Sequence, residues 1–171
     1  IISADKDLMQ LIEPGVCMYD PASGERDERY FGEAEVLDYF GVRAERVVDV
    51  QSLAGDSTDN VPGAPGIGVK TAAQLINEYG DLDTLLARAG EIKQPKRRET
   101  LTNPEIVEKI KISKQLVTLV RDVPLETPVD DLGLHEPDGR RLGAFLTARY
   151  SGRIARRAAD VFDVDANEIE A

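Results

Sequence analysis

Residues 62–71 of this chain read Pro62-Gly63-Ala64-Pro65-Gly66-Ile67-Gly68-Val69-Lys70-Thr71. Three glycines and two prolines in seven positions exclude a helix or a strand through residues 62–68. Proline removes a backbone donor, and glycine is costly inside either element. The apolar spacing on both sides is helical. Val47, Val50 and Leu53 share one side of a segment from Ala44 to Ala54, and a second pattern runs from Val69 to Tyr79 and stops at Gly80. Two helices joined by a tight loop are therefore expected here.

Such a loop suits an anion. Gly66 and Gly68 lie just ahead of the second helix and let the backbone approach a ligand without a Cβ in the way. The first N–H groups of a helix lack intrahelical partners, and the helix end carries partial positive charge. Lys70 and Thr71 add a cation and a hydroxyl donor in the first turn. A phosphate held this way is gripped without any base being read. The alternative is that glycine and proline only punctuate two helices. A P-loop lacks its spacing here, and a dinucleotide turn would need a strand, not a helix, before it.

Charge is unevenly spread. The net charge is −11, yet residues 1–60 hold 14 acids and 5 bases, residues 61–157 hold 16 bases and 13 acids, and residues 158–171 hold 5 acids and no base. The basic middle contains the glycine loop and also Lys93, Lys96, Arg97 and Arg98, four bases in six residues of an expected polar loop over 90–103. Backbone phosphates fit that distribution, although a solvated loop explains the bases equally well.

Before the loop the chain is acidic in a patterned way. Ile1-Ile2 reads as the end of a buried strand, and Asp5 and Asp7 follow it. A strand, a carboxylate-bearing turn and a helix form an α/β arrangement entered in its middle, so upstream sequence is expected to complete its sheet. Asp56 and Asp59 stand three apart, on one face of any helical turn there. Hard divalent cations take such oxygen ligands, and phosphodiester hydrolysis uses them to orient water and stabilise charge. With 32 acids in the chain, either pair alone is a common coincidence. Position beside the loop gives the second pair its weight.

The remaining expectations are brief. Val16–Tyr19 and Arg29–Phe31 read as short strands around turn chemistry at Asp20–Gly24. Helices are expected over Glu33–Phe40, Leu82–Ala89, Pro104 to about Val120, and Asp138–Tyr150, the last of them. No internal repeat, signal peptide or apolar run of membrane length is evident. A single Cys17, read as a small buried hydrophobe, excludes an internal disulfide and fits a cytoplasmic setting. The single His135, read as an exposed loop residue, excludes a histidine-based zinc site. Asp163-x-Asp165-x-Asn167 lacks the glycine an EF-hand requires. Four Phe, five Tyr and no Trp argue against a single-strand stacking platform.

Three blocks taken together, Ser3-Ala4-Asp5-Lys6-Asp7-Leu8-Met9-Gln10-Leu11, Gly55-Asp56-Ser57-Thr58-Asp59-Asn60-Val61-Pro62-Gly63 and Gly66-Ile67-Gly68-Val69-Lys70-Thr71-Ala72, resemble the 5′-nuclease domain of bacterial DNA polymerase I, within the flap endonuclease superfamily. The resemblance covers roughly residues 1–150. It departs at Ala4, where the family has glycine. It implies a mainly α fold with a small α/β remnant: the C-terminal part of a PIN-like, helix-hairpin-helix nuclease domain. Residues 1–40 would belong to the metal-binding core, 41–157 to a helical DNA-binding subdomain and 158–171 to an acidic linker.

By the same resemblance, Asp5, Asp7, Asp56 and Asp59 match the acidic cluster of the second of two Mg²⁺ or Mn²⁺ ions. The hairpin, with Gly63, Gly66, Gly68, Lys70 and Thr71, matches the element that grips the duplex backbone, in many members with K⁺ on its carbonyls. Lys93, Lys96, Arg97 and Arg98 are expected to flank that backbone. Cleavage of 5′ flaps and 5′ ends in replication and repair is implied for the full-length protein, a monomer with proofreading-like and polymerase domains in a bacterial cytoplasm and nucleoid. The first metal cluster would lie upstream of Ile1, leaving this polypeptide inert or very weak alone. A non-catalytic duplex-binding helix-hairpin-helix module is the alternative.

Overall fold

The computed structural model describes residues 1–134, 136, 138–150 and 152–162. The expectations at His135 and at Asp163–Asn167, and most of the acidic linker over 158–171, lie outside the described residues. The chain divides into two compact units, Ile1–Asp122 and residues 123 onward. Residues 1–40 and 41–122 share one core.

The first unit is mostly helical, as its apolar spacing requires. A 3₁₀ turn over Lys6–Leu11 follows the cap at Asp5, whose Oδ1 accepts from the Asp7 N–H at 3.0 Å. Strands β1 (Met18–Asp20) and β2 (Arg29–Phe31) pair antiparallel with Tyr19 opposite Tyr30. Helices α1 (Glu33–Phe40), α2 (Val47–Ala54), α3 (Val69–Tyr79), α4 (Leu82–Ala87), α5 (Pro95–Thr102) and α6 (Pro104–Val117) complete it. Met18 of β1, Val36, Phe40, Val47, Val50, Leu53, Leu75, Ile76, Leu85 and Ile110 interlock in one core. Burying side chains of this size contributes roughly 1.5–3 kcal/mol each.

Several expectations are corrected. Ile1 and Ile2 are 41% and 79% exposed, not buried. They run parallel to β1, with the Ser3 N–H donating to the Tyr19 carbonyl. Cys17 is exposed because strand alternation turns Met18 and Asp20 inward. The polar loop over 90–103 contains helix α5. Leu101 is the buried residue of α5, so no apolar stripe marks it, although Pro95 at its first turn is a helix-start signal. Ala44–Arg46 is a 3₁₀ turn leading into α2. Helix α6 ends at Val117, where the Gln10 amide takes over the chain. Its Nε2 donates to the Val117 carbonyl at 2.9 Å and its Oε1 accepts from the Leu119 N–H at 3.1 Å.

The second unit pairs α7 (Gly139–Arg149) with α8 (Gly152–Phe162). Helix α8 lies beyond the expected last helix. Small residues make its buried face, Ala155 and Ala159, against a helix whose buried residue is Gly143. Among the described residues, no helix is long and apolar enough to cross a membrane.

Candidate nucleic-acid interface

The loop between α2 and α3 is fixed from inside. Gly55 and Gly63 both have positive φ, 72° and 59°, and meet main chain to main chain. A Cβ built on Gly63 would lie 2.4 Å from the Gly55 nitrogen. Around this close approach Asp56 and Val61 exchange backbone hydrogen bonds at 2.9 and 2.7 Å, and the Ala64 N–H donates to the Leu53 carbonyl at 2.7 Å. The buried Gly63 N–H donates to Ser113 Oγ of α6 at 3.1 Å. Gly63, expected at the DNA surface, is therefore committed to the loop interior.

The outer half of the loop is different. Pro65, Gly66 and Gly68 are exposed, and space around Gly66 and Gly68 is open to 4 Å. Ala64 and Ile67 point inward and anchor it. Gly68 is the N-cap of α3 and offers no side-chain acceptor to the first turn. Lys70 is exposed and Thr71 half-buried on that turn.

Helix α5 brings the second basic segment to the same place. Pro65, Gly66 and Ile67 line one hollow of about 210 Å³ together with Gln94, Lys96, Arg97 and Thr100. Lys93 instead borders a separate hollow with Glu78 and Tyr79. Arg98 Nη1 donates to the Ile92 carbonyl at 3.0 Å, so this guanidinium ties α5 to the preceding turn. The structure thus unites Gly66, Lys96 and Arg97, and separates Lys93 and Arg98 from them.

The carboxylates gather around a residue without a role in the sequence pattern, Lys6. Its Nζ donates to Asp56 Oδ2. This hydrogen bond, aided by the charges of Asp56, Asp7 and Asp59, raises the Lys6 pKa above its ordinary value. Burial pushes Asp56 up, but the bonds from Lys6 and the Thr58 N–H outweigh it and hold that carboxyl below its usual range. Asp7 is pushed up by burial, against a hydrogen bond from Gln51 Nε2, and further by the charges of Asp5 and Asp56. Gln51 is 2% exposed, and its Oε1 is buried with no hydrogen-bond partner among the described residues.

Carboxylate oxygens are the donor type a hard divalent cation takes. Among the described residues, however, no group of three or more His, Cys, Asp or Glu side chains is placed to hold a metal ion. Lys6 pairs with Asp56 and lies within the fields of Asp7 and Asp59, and the expected ligand set is not assembled as a cage among the described residues.

Residues 42–140 match the family described as 5′-3′ exonuclease, C-terminal SAM fold. The chain belongs to the 5′-3′ exonuclease family. It is 48% identical over 170 residues to the DNA polymerase I of Rhizobium leguminosarum, covering 99% of this chain and 16% of that protein. The chain therefore spans about a sixth of the length of the DNA polymerase I it matches. In fold it resembles the T5 protein co-crystallised with metal ions, at TM-score 0.58 and 23% identity, covering 68% of this chain and 41% of the other. It also resembles the catalytic core of Rad2 in complex with DNA substrate, at TM-score 0.56 and 14% identity, covering 95% and 56%. The mainly helical 5′-nuclease architecture expected from the resemblance is the one observed.

Proposed function

We propose that this chain is the part of a DNA polymerase I 5′-3′ exonuclease or flap endonuclease domain that grips duplex DNA by its backbone beside the acidic cluster. The observation that carries this reading is the shared hollow of the hairpin tip and α5, where Gly66 meets Lys96 and Arg97. An uncapped helix start with Lys70 beside it supplies partial and full positive charge for a phosphate. Thr71 adds a hydroxyl, and nothing in the arrangement distinguishes one base from another.

In the whole protein, Asp5, Asp7, Asp56 and Asp59 are the residues that would hold Mg²⁺ or Mn²⁺. Bound there, the metal would orient a water and stabilise charge on the attacking and leaving oxygens. This chain's own residues do the preparatory work: Gln51 orients Asp7, and Lys6 balances Asp56 until a cation competes for it. Full-length activity on 5′ flaps and 5′ ends, in replication and repair, belongs to this proposal. So do the monomeric state, the attached proofreading-like and polymerase domains, the bacterial cytoplasmic setting and a K⁺ ion on the hairpin carbonyls. The inertness or very weak activity of this polypeptide alone belongs to the same proposal.

Duplex affinity measured over a range of salt concentrations tests the grip. Affinity should ignore base sequence. The combined change Lys70→Ala, Lys96→Ala and Arg97→Ala should flatten the log–log salt slope by about 0.9 for each phosphate no longer neutralised. An unchanged slope refutes the interface. Mn²⁺ titration separates the nuclease reading from a non-catalytic duplex-binding module: binding abolished by Asp56→Asn with Asp59→Asn supports the former. Robust flap cleavage by this chain in Mg²⁺, abolished by Asp56→Asn, would refute its inertness.

A further inference from the structure

Helix α8 lies beyond residue 140, where the family match ends, and it carries a second concentration of positive charge. Residues 138–162 hold six arginines and two acids, in a chain whose net charge is −11. Three of the arginines, Arg153, Arg156 and Arg157, stand at i, i+3 and i+4 and so share one face of α8. The opposite face carries Ala155 and Ala159, 6% and 3% exposed, which pack toward α7. Burying the alanine face directs the arginine face outward, and all three arginines are exposed.

These guanidinium groups are unspent. Asp160 lies on the same face, three residues from Arg157 and four from Arg156, the spacing at which helical ion pairs form. Yet among the described residues none of the three arginines has an ion pair or hydrogen bond. Arg149 of α7, by contrast, stacks on the Phe145 ring at 5.7 Å.

We propose that the arginine face of α8 is a second binding surface for the phosphate backbone of duplex DNA, separate from the hairpin. The proposal rests on the reading that the chain binds duplex. Arginine presents a planar fork of donors matched to phosphate oxygens, and it never loses its charge at neutral pH. At a rise of about 1.5 Å per residue, Arg153 and Arg157 are about 6 Å apart along the helix. That separation lets each reach its own phosphate, on a polymer with a charge about every 3.4 Å of axis on each strand. Exposed Ile154 and Val161 border the arginines on one side, and the three guanidinium groups with Asp160 make up the rest of the face.

The test uses the whole chain and a blunt duplex of arbitrary sequence. The combined variant Arg153→Ala, Arg156→Ala and Arg157→Ala keeps α8, because alanine is the better helix former, and circular dichroism checks this. Its log–log salt slope should be shallower than wild type by about 2 to 3, with affinity at low salt about 10-fold or more weaker. The matching triple change to lysine should restore the slope. If Lys70→Ala weakens binding while the arginine variant binds like wild type, the α8 surface is overturned and the hairpin reading stands. If instead the arginine variant loses only its binding to phosphatidylserine vesicles, the face belongs to a membrane, which also overturns the proposal. A wild-type chain that binds no duplex refutes the underlying function itself.

Discussion

Replacing Gly63 by alanine places a methyl group against main chain that has nowhere to go. The new Cβ would sit 2.4 Å from the Gly55 nitrogen and 2.7 Å from the Ala54 carbonyl carbon and the Gly55 Cα. No side chain can rotate to relieve those clashes. The residue also holds φ at 59°, which costs an alanine roughly 1–2 kcal/mol. Overpacking typically adds about 1–3 kcal/mol, so the total is about 2–5 kcal/mol. That is a large part of the roughly 5–15 kcal/mol by which a domain is stable. Gly66→Ala is the control. It has φ of 76° but open space around it, so its cost is only the backbone strain of about 1–2 kcal/mol. Urea unfolding followed by circular dichroism reads both. The expected order is a clear midpoint loss for Gly63→Ala and a small one for Gly66→Ala. Equal losses would refute the view that Gly63 is required for interior packing and Gly66 for access.

Ser113→Ala removes the acceptor of the buried Gly63 N–H. It should cost about 1–3 kcal/mol in the same assay, and no measurable loss would mean the loop re-pairs elsewhere. Arg97→Ala should weaken duplex binding at constant stability. Arg98→Ala should lower stability at constant DNA affinity, since its guanidinium bonds the Ile92 carbonyl; identical effects would undo that division. Asp20 accepts from Arg26 and Arg29 at 2.7 Å, and these bonds hold its pKa below the ordinary value. Its stabilisation is fully present above the unfolded carboxylate pKa of about 3.9 and is lost as pH falls through the depressed folded value. The acid side of a melting-temperature profile should therefore flatten in Asp20→Asn, and an unchanged profile would contradict the assignment. Asp81 accepts from the Thr84 N–H at 2.7 Å as the cap of α4, so Asp81→Ala should cost about 0.5–2 kcal/mol in thermal unfolding.

Local chemistry is what the sequence determined by itself. The span of α1, with its stop at Gly41, and that of α3, with its stop at Gly80, follow from apolar spacing and punctuation within one segment. So does the loop between α2 and α3, because proline and glycine act on their own backbone. Helix α5 was illegible for the complementary reason. It buries a single apolar residue, Leu101, too few to leave a periodic stripe, so its helicity is decided by what it packs against. Helix α8 was legible and was missed: Ile154, Ala155, Ala158, Ala159 and Phe162 recur at helical spacing.

The tertiary structure alone sorted residues that look alike in one dimension. Gly63 and Gly66 are equivalent as turn glycines, but only the fold puts Gly55 against one and open space around the other. Arg97 and Arg98 are neighbours, but the helical rotation between them sends one to the hairpin hollow and the other to a carbonyl of its own chain. Lys6, between two aspartates, acquires its role only when α2 and the following loop bring Asp56 across fifty residues to meet it. Spacing in sequence fixes what a segment can form, whereas long-range packing fixes which of its side chains remain free to act.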